Sequence, residues 1–237
     1  MKRQNKAVRR AERKAKQRVK TNQKLETQAK DTPLEIEWRT AGQKLAWQTL
    51  TNTPITFLLG AAGSGKTFLA MAYAINEILN KRRTSIVLTR PIVEAGERLG
   101  YLPGSFGEKV NPYMQPLYDT MDTLLGKFSP RRELVNKSIV LAPLCYMRGR
   151  TFNDAICIFD EAQNASYQQL KLFLSRFGQN TQVVVTGDPY QSDLSYSPVP
   201  LVEVVGKLQG VKGIETVQFS NDDVVRHPLV SAILKKL

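Results

Sequence analysis

The sequence has little of what builds covalent, metal-held or membrane-embedded proteins. Its 237 residues include two cysteines and one histidine. That excludes a disulfide-stapled scaffold, and no zinc-ligand spacing exists. Cys145 has no His or Cys at ligand distance in the sequence, and Cys157 lies in an apolar run as a small core residue. Both are expected as reduced thiols of a cytoplasmic protein. No stretch approaches the ~18 consecutive apolar residues of a membrane span. The first 30 residues lack aromatics, and their only large aliphatics besides Met1 are Val8, Val19 and Leu25. Neither the apolar core of a secretory signal nor an apolar helical face for a membrane surface is present in them. No membrane partner is expected.

Positive charge is abundant, and it is unevenly placed. The chain carries 34 Lys or Arg against 21 Asp or Glu, a net of +13. Residues 1–30 hold twelve of the cations and only Glu12 and Glu26, a net of +10, so the other 207 residues are nearly neutral at +3. A segment this polar cannot bury enough surface to offset its ordering entropy. Residues 1–32 are therefore expected as a basic arm, disordered or loosely helical, and residues 33–237 as the domain. The arm suits RNA or another single-stranded nucleic acid through its phosphates, and equally a plain solubilising extension. Without aromatics it has no means of stacking on bases.

The domain alternates strand-like and helix-like segments. Apolar runs at Ile55–Leu59, Ser85–Thr89, Lys137–Leu141, Ala155–Phe159, Thr181–Thr186 and Thr216–Phe219 predict strands. Helical spacing predicts helices over Lys66–Asn80, Met114–Leu125, Leu170–Phe177 with Gly178 as its stop, and His227–Leu237. Ser166 and Gln169 form a capping-box pattern, and Ser197-Pro198 a second helix start. Residues 91–111 read as a long irregular connection. Apolar strands alternating with helices imply an α/β fold with a mostly parallel sheet covered on both faces.

Gly60-Ala61-Ala62-Gly63-Ser64-Gly65-Lys66-Thr67 matches G-x-x-x-x-G-K-T between a predicted strand and a predicted helix, the context that gives the pattern meaning. Glycines let the backbone wrap a phosphate with its N–H groups inward, and the helix adds free N–H groups and a positive dipole end. Lys66 would place its charge on the β- and γ-phosphates, and the Thr67 hydroxyl would ligate Mg²⁺. Ile156-Cys-Ile-Phe-Asp160-Glu161 ends a buried strand in two carboxylates. Asp160 suits Mg²⁺, and Glu161 suits orienting and deprotonating an attacking water. Val184-Val-Thr-Gly187-Asp188-Pro-Tyr-Gln191 ends a third strand. Gln191 there could sense the γ-phosphate, or Gly-Asp-Pro could simply turn the chain.

The order of Gln43, the phosphate loop, Asp160-Glu161-Ala-Gln163 and Gly187-Asp188-x-x-Gln191 resembles superfamily 1 helicases. The chain is more closely similar to the PhoH family of phosphate-starvation-inducible ATPases. This likeness is carried by Arg90-Pro-Ile-Val-Glu94-Ala-Gly96-Glu97, Glu108-Lys-Val-x-Pro112-Tyr113-Met114, Tyr146-Met-Arg148-Gly149-Arg150-Thr151-Phe152 and Asp223-Val-Val-Arg226-His227. It implies a RecA-like P-loop core that binds and hydrolyses ATP. By helicase analogy Gln43 would contact adenine and Arg226 would stabilise charge on the γ-phosphate. The family also implies RNA as substrate and a homo-oligomeric ring, a hexamer. One RecA-like unit leaves one side of the site open, which Arg226 in cis or an arginine from a neighbour would close. Arg148 and Arg150 are open between such a trans contact, nucleic-acid phosphates and an ordinary surface pair. Arg90 is open between nucleic acid and pairing with Glu94 or Glu97. The alternative function is an ATP-controlled oligomeric adaptor that unwinds nothing. A small-molecule kinase is disfavoured by the Asp160-Glu161 pair.

Overall fold

The computed structural model describes residues 33–91, 106–192 and 199–226, with Leu229, Val230 and Ile233. The basic arm, most of the segment 91–105, Ser197-Pro198 and most of the expected last helix lie outside the described residues.

Helix α1 (Ala41–Asn52) leads into β1 (Ile55–Leu59), α2 (Lys66–Leu79) and β2 (Ser85–Thr89). Next come α3 (Phe106–Leu125), α4 (Pro130–Asn136), β3 (Ile139–Leu141), β4 (Ala155–Phe159) and α5 (Tyr167–Leu174), then β5 (Gln182–Gly187), α6 (Pro200–Leu208) and β6 (Ile214–Gln218). The six strands form one sheet in the order β3-β2-β4-β5-β1-β6, and every pairing is parallel. The register sets Leu59 beside Gly187 and Thr89 beside Phe159. The loops that follow β1, β2, β4 and β5 therefore leave the same edge of the sheet, where ligands of parallel sheets bind.

Side chains alternate between two cores. Leu58, Ile86, Leu88, Ile156, Ile158 and Val184 face α1, α2, α3 and α4. Phe57, Leu59, Val87, Cys157, Phe159, Val183 and Val185 face α5 and α6. Each fully buried Leu, Ile or Phe contributes about 1.5–3 kcal/mol. Burial also pushes the Cys157 thiol up to about 12, consistent with an inert core residue. Among the described residues no helix is long and apolar enough to cross a membrane, and no three His, Cys, Asp or Glu group as a metal cluster.

Several boundaries differ from expectation. Helix α3 starts at Phe106, inside the segment read as irregular, and runs through Pro112 and Pro116. Met114, Leu117, Met121 and Leu125 are buried on one face, and that packing overrides the breakers. Helix α5 ends at Leu174 rather than reaching Gly178. Phe152 and the 176–178 segment exchange backbone bonds, from Phe152 N–H to Arg176 O at 2.9 Å and from Gly178 N–H to Phe152 O at 2.7 Å, drawing the chain out of the helix. In α6 the proline of the first turn is Pro200. Helix α1 is not marked by apolar periodicity, although Thr40 caps it by accepting from Gln43 N–H at 3.2 Å. The Thr40-x-x-Gln43 spacing is the available signal.

Candidate active site

The phosphate loop takes its shape from two glycines. Gly63 and Gly65 both have φ of +88°, where a side chain costs about 1–2 kcal/mol. Gly65 opens α2 and offers no side-chain cap, so the first N–H groups of the helix stay available. Lys66 is buried and its ammonium lies on the loop, donating to Gly60 O at 2.6 Å and Ala61 O at 2.9 Å. Burial pushes the Lys66 pKa down, against the opposing pull of the Asp188, Glu161 and Asp160 carboxylates.

The strand order brings the acidic residues to this loop. Asp160, buried at the end of β4, accepts from Thr67 Oγ1 at 2.6 Å and from Thr186 Oγ1 at 2.6 Å, both on Oδ1. A hydroxyl and a carboxylate in contact are hard oxygen donors of the kind Mg²⁺ takes. Glu161 follows in left-handed backbone conformation at φ +54°, and Gln163 Nε2 donates to its Oε2 at 2.6 Å. Gln163 Oε1 accepts from Asp188 N–H at 3.0 Å, linking the ends of β4 and β5. Asp188 Oδ2 accepts from Ala62 N–H at 3.1 Å, so one loop amide is held by a carboxylate.

Gln43 donates from Nε2 to Ser64 O at 3.2 Å and accepts from Arg39 N–H at 3.0 Å. It supports the loop from behind and lines a second cavity. Arg226 donates to Ala62 O, and Val225 N–H donates to Gly63 O at 3.0 Å. A Cβ on Gly63 would meet Arg226 Nε at 2.6 Å, so that glycine makes room for the guanidinium. Gln191 reaches the site through its turn, its N–H bonded to Asp188 O at 3.1 Å. Asp223 ties the Arg226 turn to α1 by accepting from Gly42 N–H at 3.1 Å and Ser220 N–H at 2.9 Å. Burial alone would raise its pKa, but hydrogen bonds from Thr40, Ser220 and Gly42 outweigh that and hold it below the ordinary value.

Two cavities meet at the loop. One of about 320 Å³ is lined by Lys66, Thr67, Asp160, Glu161, Asp188 and Gln191. The other, of about 430 Å³, is lined by Leu34, Ile36, Gln43, Phe68, Leu124 and Val225. They share Gly63, Gly65 and Phe68. The first suits a charged phosphate chain, the second a flat, partly apolar group.

Most of the residues expected from sequence thus converge at one site: Gln43, the loop, Asp160, Glu161, Gln191 and Arg226. Arg148 and Arg150 are exposed and line neither cavity. Arg90 pairs with Glu161 at 3.4 Å and Asp160 at 4.0 Å, and Glu94 and Glu97 lie outside the described residues. Gln163, Thr186 and Asp188 take roles that sequence reasoning missed, although all three stand inside its motifs. Among the aromatics, Phe68, Phe128, Tyr146 and Tyr190 are exposed.

A parallel sheet, a glycine loop opening an uncapped helix and a buried aspartate two strands away define a RecA-like P-loop NTPase fold. The large terminase of a thermophilic bacteriophage shares it, with a TM-score of 0.52 at 13% identity over 86% of this chain and 50% of that one. The chain belongs to the PhoH-like protein family, whose model matches residues 35–237. A PhoH-like protein of Bacillus subtilis (strain 168) is 43% identical over 84% of this chain and 63% of its own length. Protein PhoH of Escherichia coli (strain K12) is 36% identical over 79% of this chain and 54% of its own. The chain therefore spans between half and two thirds of these relatives.

Proposed function

We propose that the chain is an ATPase: it binds ATP with Mg²⁺, hydrolyses it, and works as a ring-forming motor on RNA. The observation that carries this reading is the meeting of Lys66, Thr67, Asp160 and Glu161 in one cavity that opens, across Gly63 and Gly65, into a second cavity of a size for a base. In this reading residues 33–237 form the ATPase domain of a cytoplasmic protein, and residues 1–32 form the arm that contacts RNA. A head-to-tail ring, taken as six subunits, covers the open side of the site.

The residues divide the work. The loop amides and the start of α2 hold the phosphates, which requires Asp188 to release Ala62 N–H and Lys66 to turn from the loop carbonyls to the phosphate oxygens. Thr67 and Asp160 would hold Mg²⁺, which would supply neutralisation of phosphate charge there. Glu161 orients water and takes its proton as the γ-phosphorus–oxygen bond to ADP breaks. Lys66 and Arg226 meet the charge that develops on the phosphoryl group and leaving oxygen. Gln43 borders the base cavity, and Gln191 is placed to sense the γ-phosphate.

Glu161→Gln tests the assignment. The variant should bind ATP as the parent does and lose turnover by about 10²–10⁴-fold. Unchanged turnover would remove Glu161 from this role. Adding RNA to the parent should raise its rate. ATP-dependent assembly at a rate indifferent to RNA would favour the adaptor function.

A further inference from the structure

We infer that the loop Tyr146–Arg150 and helix α5 form a binding surface for the phosphate backbone of single-stranded RNA. The inference rests on the reading of the chain as an RNA-dependent ATPase and assigns that reading a site within the folded domain.

Four cations meet on this face. Arg148 and Lys171 line one cavity of about 300 Å³ with Gln168, Gln169 and Ser175. Arg176 donates from Nη1 to Arg150 O at 3.5 Å, which fixes the loop against the end of α5. The Arg150 guanidinium lies 4.9 Å from the centre of the Phe152 ring. Among the described residues none of the four cations has a carboxylate within ion-pair distance. Asp154, four residues past Arg150, accepts instead from Asn180 Nδ2 at 2.8 Å. Arg148, Arg150 and Lys171 are exposed, and Tyr146, two residues before Arg148 in the same loop, is 56% exposed. Uncompensated cations strung along a loop and a helix, with amide donors among them and an exposed aromatic in the same loop, fit a flexible polyanion whose bases can stack. A single triphosphate needs fewer and more convergent charges.

The surface is also joined to the hydrolytic carboxylate. Gln163, bonded to Glu161, stands three residues before Ser166, whose capping box with Gln169 starts α5. RNA seated on Gln168, Gln169 and Lys171 would press on the turn that sets Glu161, giving a route by which RNA changes the hydrolysis rate.

The test uses the full chain and an Arg148→Gln/Lys171→Gln double variant, with binding of labelled oligouridine followed by fluorescence anisotropy across a salt series. Each lost phosphate contact should flatten the slope of log K against log salt by about 0.7. The double variant should lose about 1.4 in slope and about 20-fold in affinity at about 0.1 M salt. Its ATPase rate without RNA should match the parent's, and an Arg148→Lys/Lys171→Arg control should bind as the parent does. Equal affinity and slope in a double variant that melts like the parent would overturn the surface while leaving the RNA reading in place. A fall in RNA-free turnover with RNA affinity kept would assign the residues to a neighbour's nucleotide and equally overturn it. If the parent itself fails to bind oligouridine, the RNA reading falls, and the surface with it.

Discussion

Arg90 Nη2 lies 3.4 Å from Glu161 Oε1, while Gln163 Nε2 holds Glu161 Oε2 at 2.6 Å. Both oxygens of the carboxylate proposed to activate water are therefore engaged by protein groups. Each oxygen keeps a second lone pair for water, but the Arg90 cation competes for the same electron density, and the half-exposed ion pair is the weaker of the two contacts. Pairs of that kind are worth about 0.2–1 kcal/mol. Arg90→Ala should therefore raise RNA-free turnover by up to about fivefold with little change in KM. Steady-state kinetics on the purified chain checks this. A large fall in kcat would place the Arg90 guanidinium on the transferring phosphoryl group instead.

Lys66 gives a pH dependence with a definite sign. Burial lowers its pKa from 10.5, so in the free protein it loses its proton earlier than an exposed lysine does. The fold is relieved of a buried charge as pH rises from that lowered value towards 10.5, so stability gains from this group across that window. A bound triphosphate favours the charged form and reverses the shift. ATP affinity should therefore fall as pH rises through the lowered pKa, and binding there should take up a proton. Calorimetry with Glu161→Gln in two buffers of different ionisation enthalpy measures that proton without turnover. Lys66→Ala should abolish the uptake and weaken binding by about 10- to 100-fold, the worth of a hydrogen bond to a charged group.

Much of this site is legible in the spacing of the sequence, and the reason is topological. The apolar runs ending at Leu59, Phe159 and Thr186 mark parallel strands, and in such sheets the loops after the strands share one edge. That is enough to bring Lys66, Thr67, Asp160 and Glu161 together. Which charges touch is not legible, because it depends on strand order. Asp188 reaches Ala62 N–H because β5 lies between β1 and β4, and Arg90 meets Glu161 because β2 flanks β4. Neither neighbour relation is written in periodicity. Helix α3 is obscured by Gly107, Pro112 and Pro116, whose local preferences yield to burial of Met114 and Leu117.

Asp223 should matter to nucleotide binding without touching nucleotide. Its Oδ2 accepts from Ser220 N–H and Oγ, and its Oδ1 from Gly42 N–H. Asn cannot present acceptors on both sides, so Asp223→Asn leaves donors unpaired and should cost about 1–3 kcal/mol. The turn it holds carries Val225 and Arg226 onto Gly63 and Ala62, so KM for ATP should rise more than kcat falls. Acid unfolding supplies the control. The Asp223 pKa is depressed below 3.8, so its stabilisation is present above 3.8 and lost as pH falls through the lower folded value. Melting curves of the variant should lack that part of the acid dependence.

Removing residues 1–30 should separate charge from hydrolysis. The segment takes away +10 of the +13 net charge and leaves a chain near +3. The remaining N-terminal residues keep their anchor, since Leu34 N–H donates to Asn76 Oδ1 at 2.5 Å and Asn76 Nδ2 returns a bond to Leu34 O at 3.2 Å. Leu34 also packs on the core that carries α2, so the truncated chain should melt within a few degrees of the parent. Basal ATPase should be unchanged, because no residue proposed for the chemistry precedes Gln43. RNA binding should weaken at low salt and lose much of its salt dependence, since each phosphate contact contributes about 0.7 to the slope. What binding survives at about 0.2 M salt should then depend on Arg148 and Lys171. If basal hydrolysis fell with the arm removed, the division between a basic arm and a self-sufficient ATPase domain would be wrong.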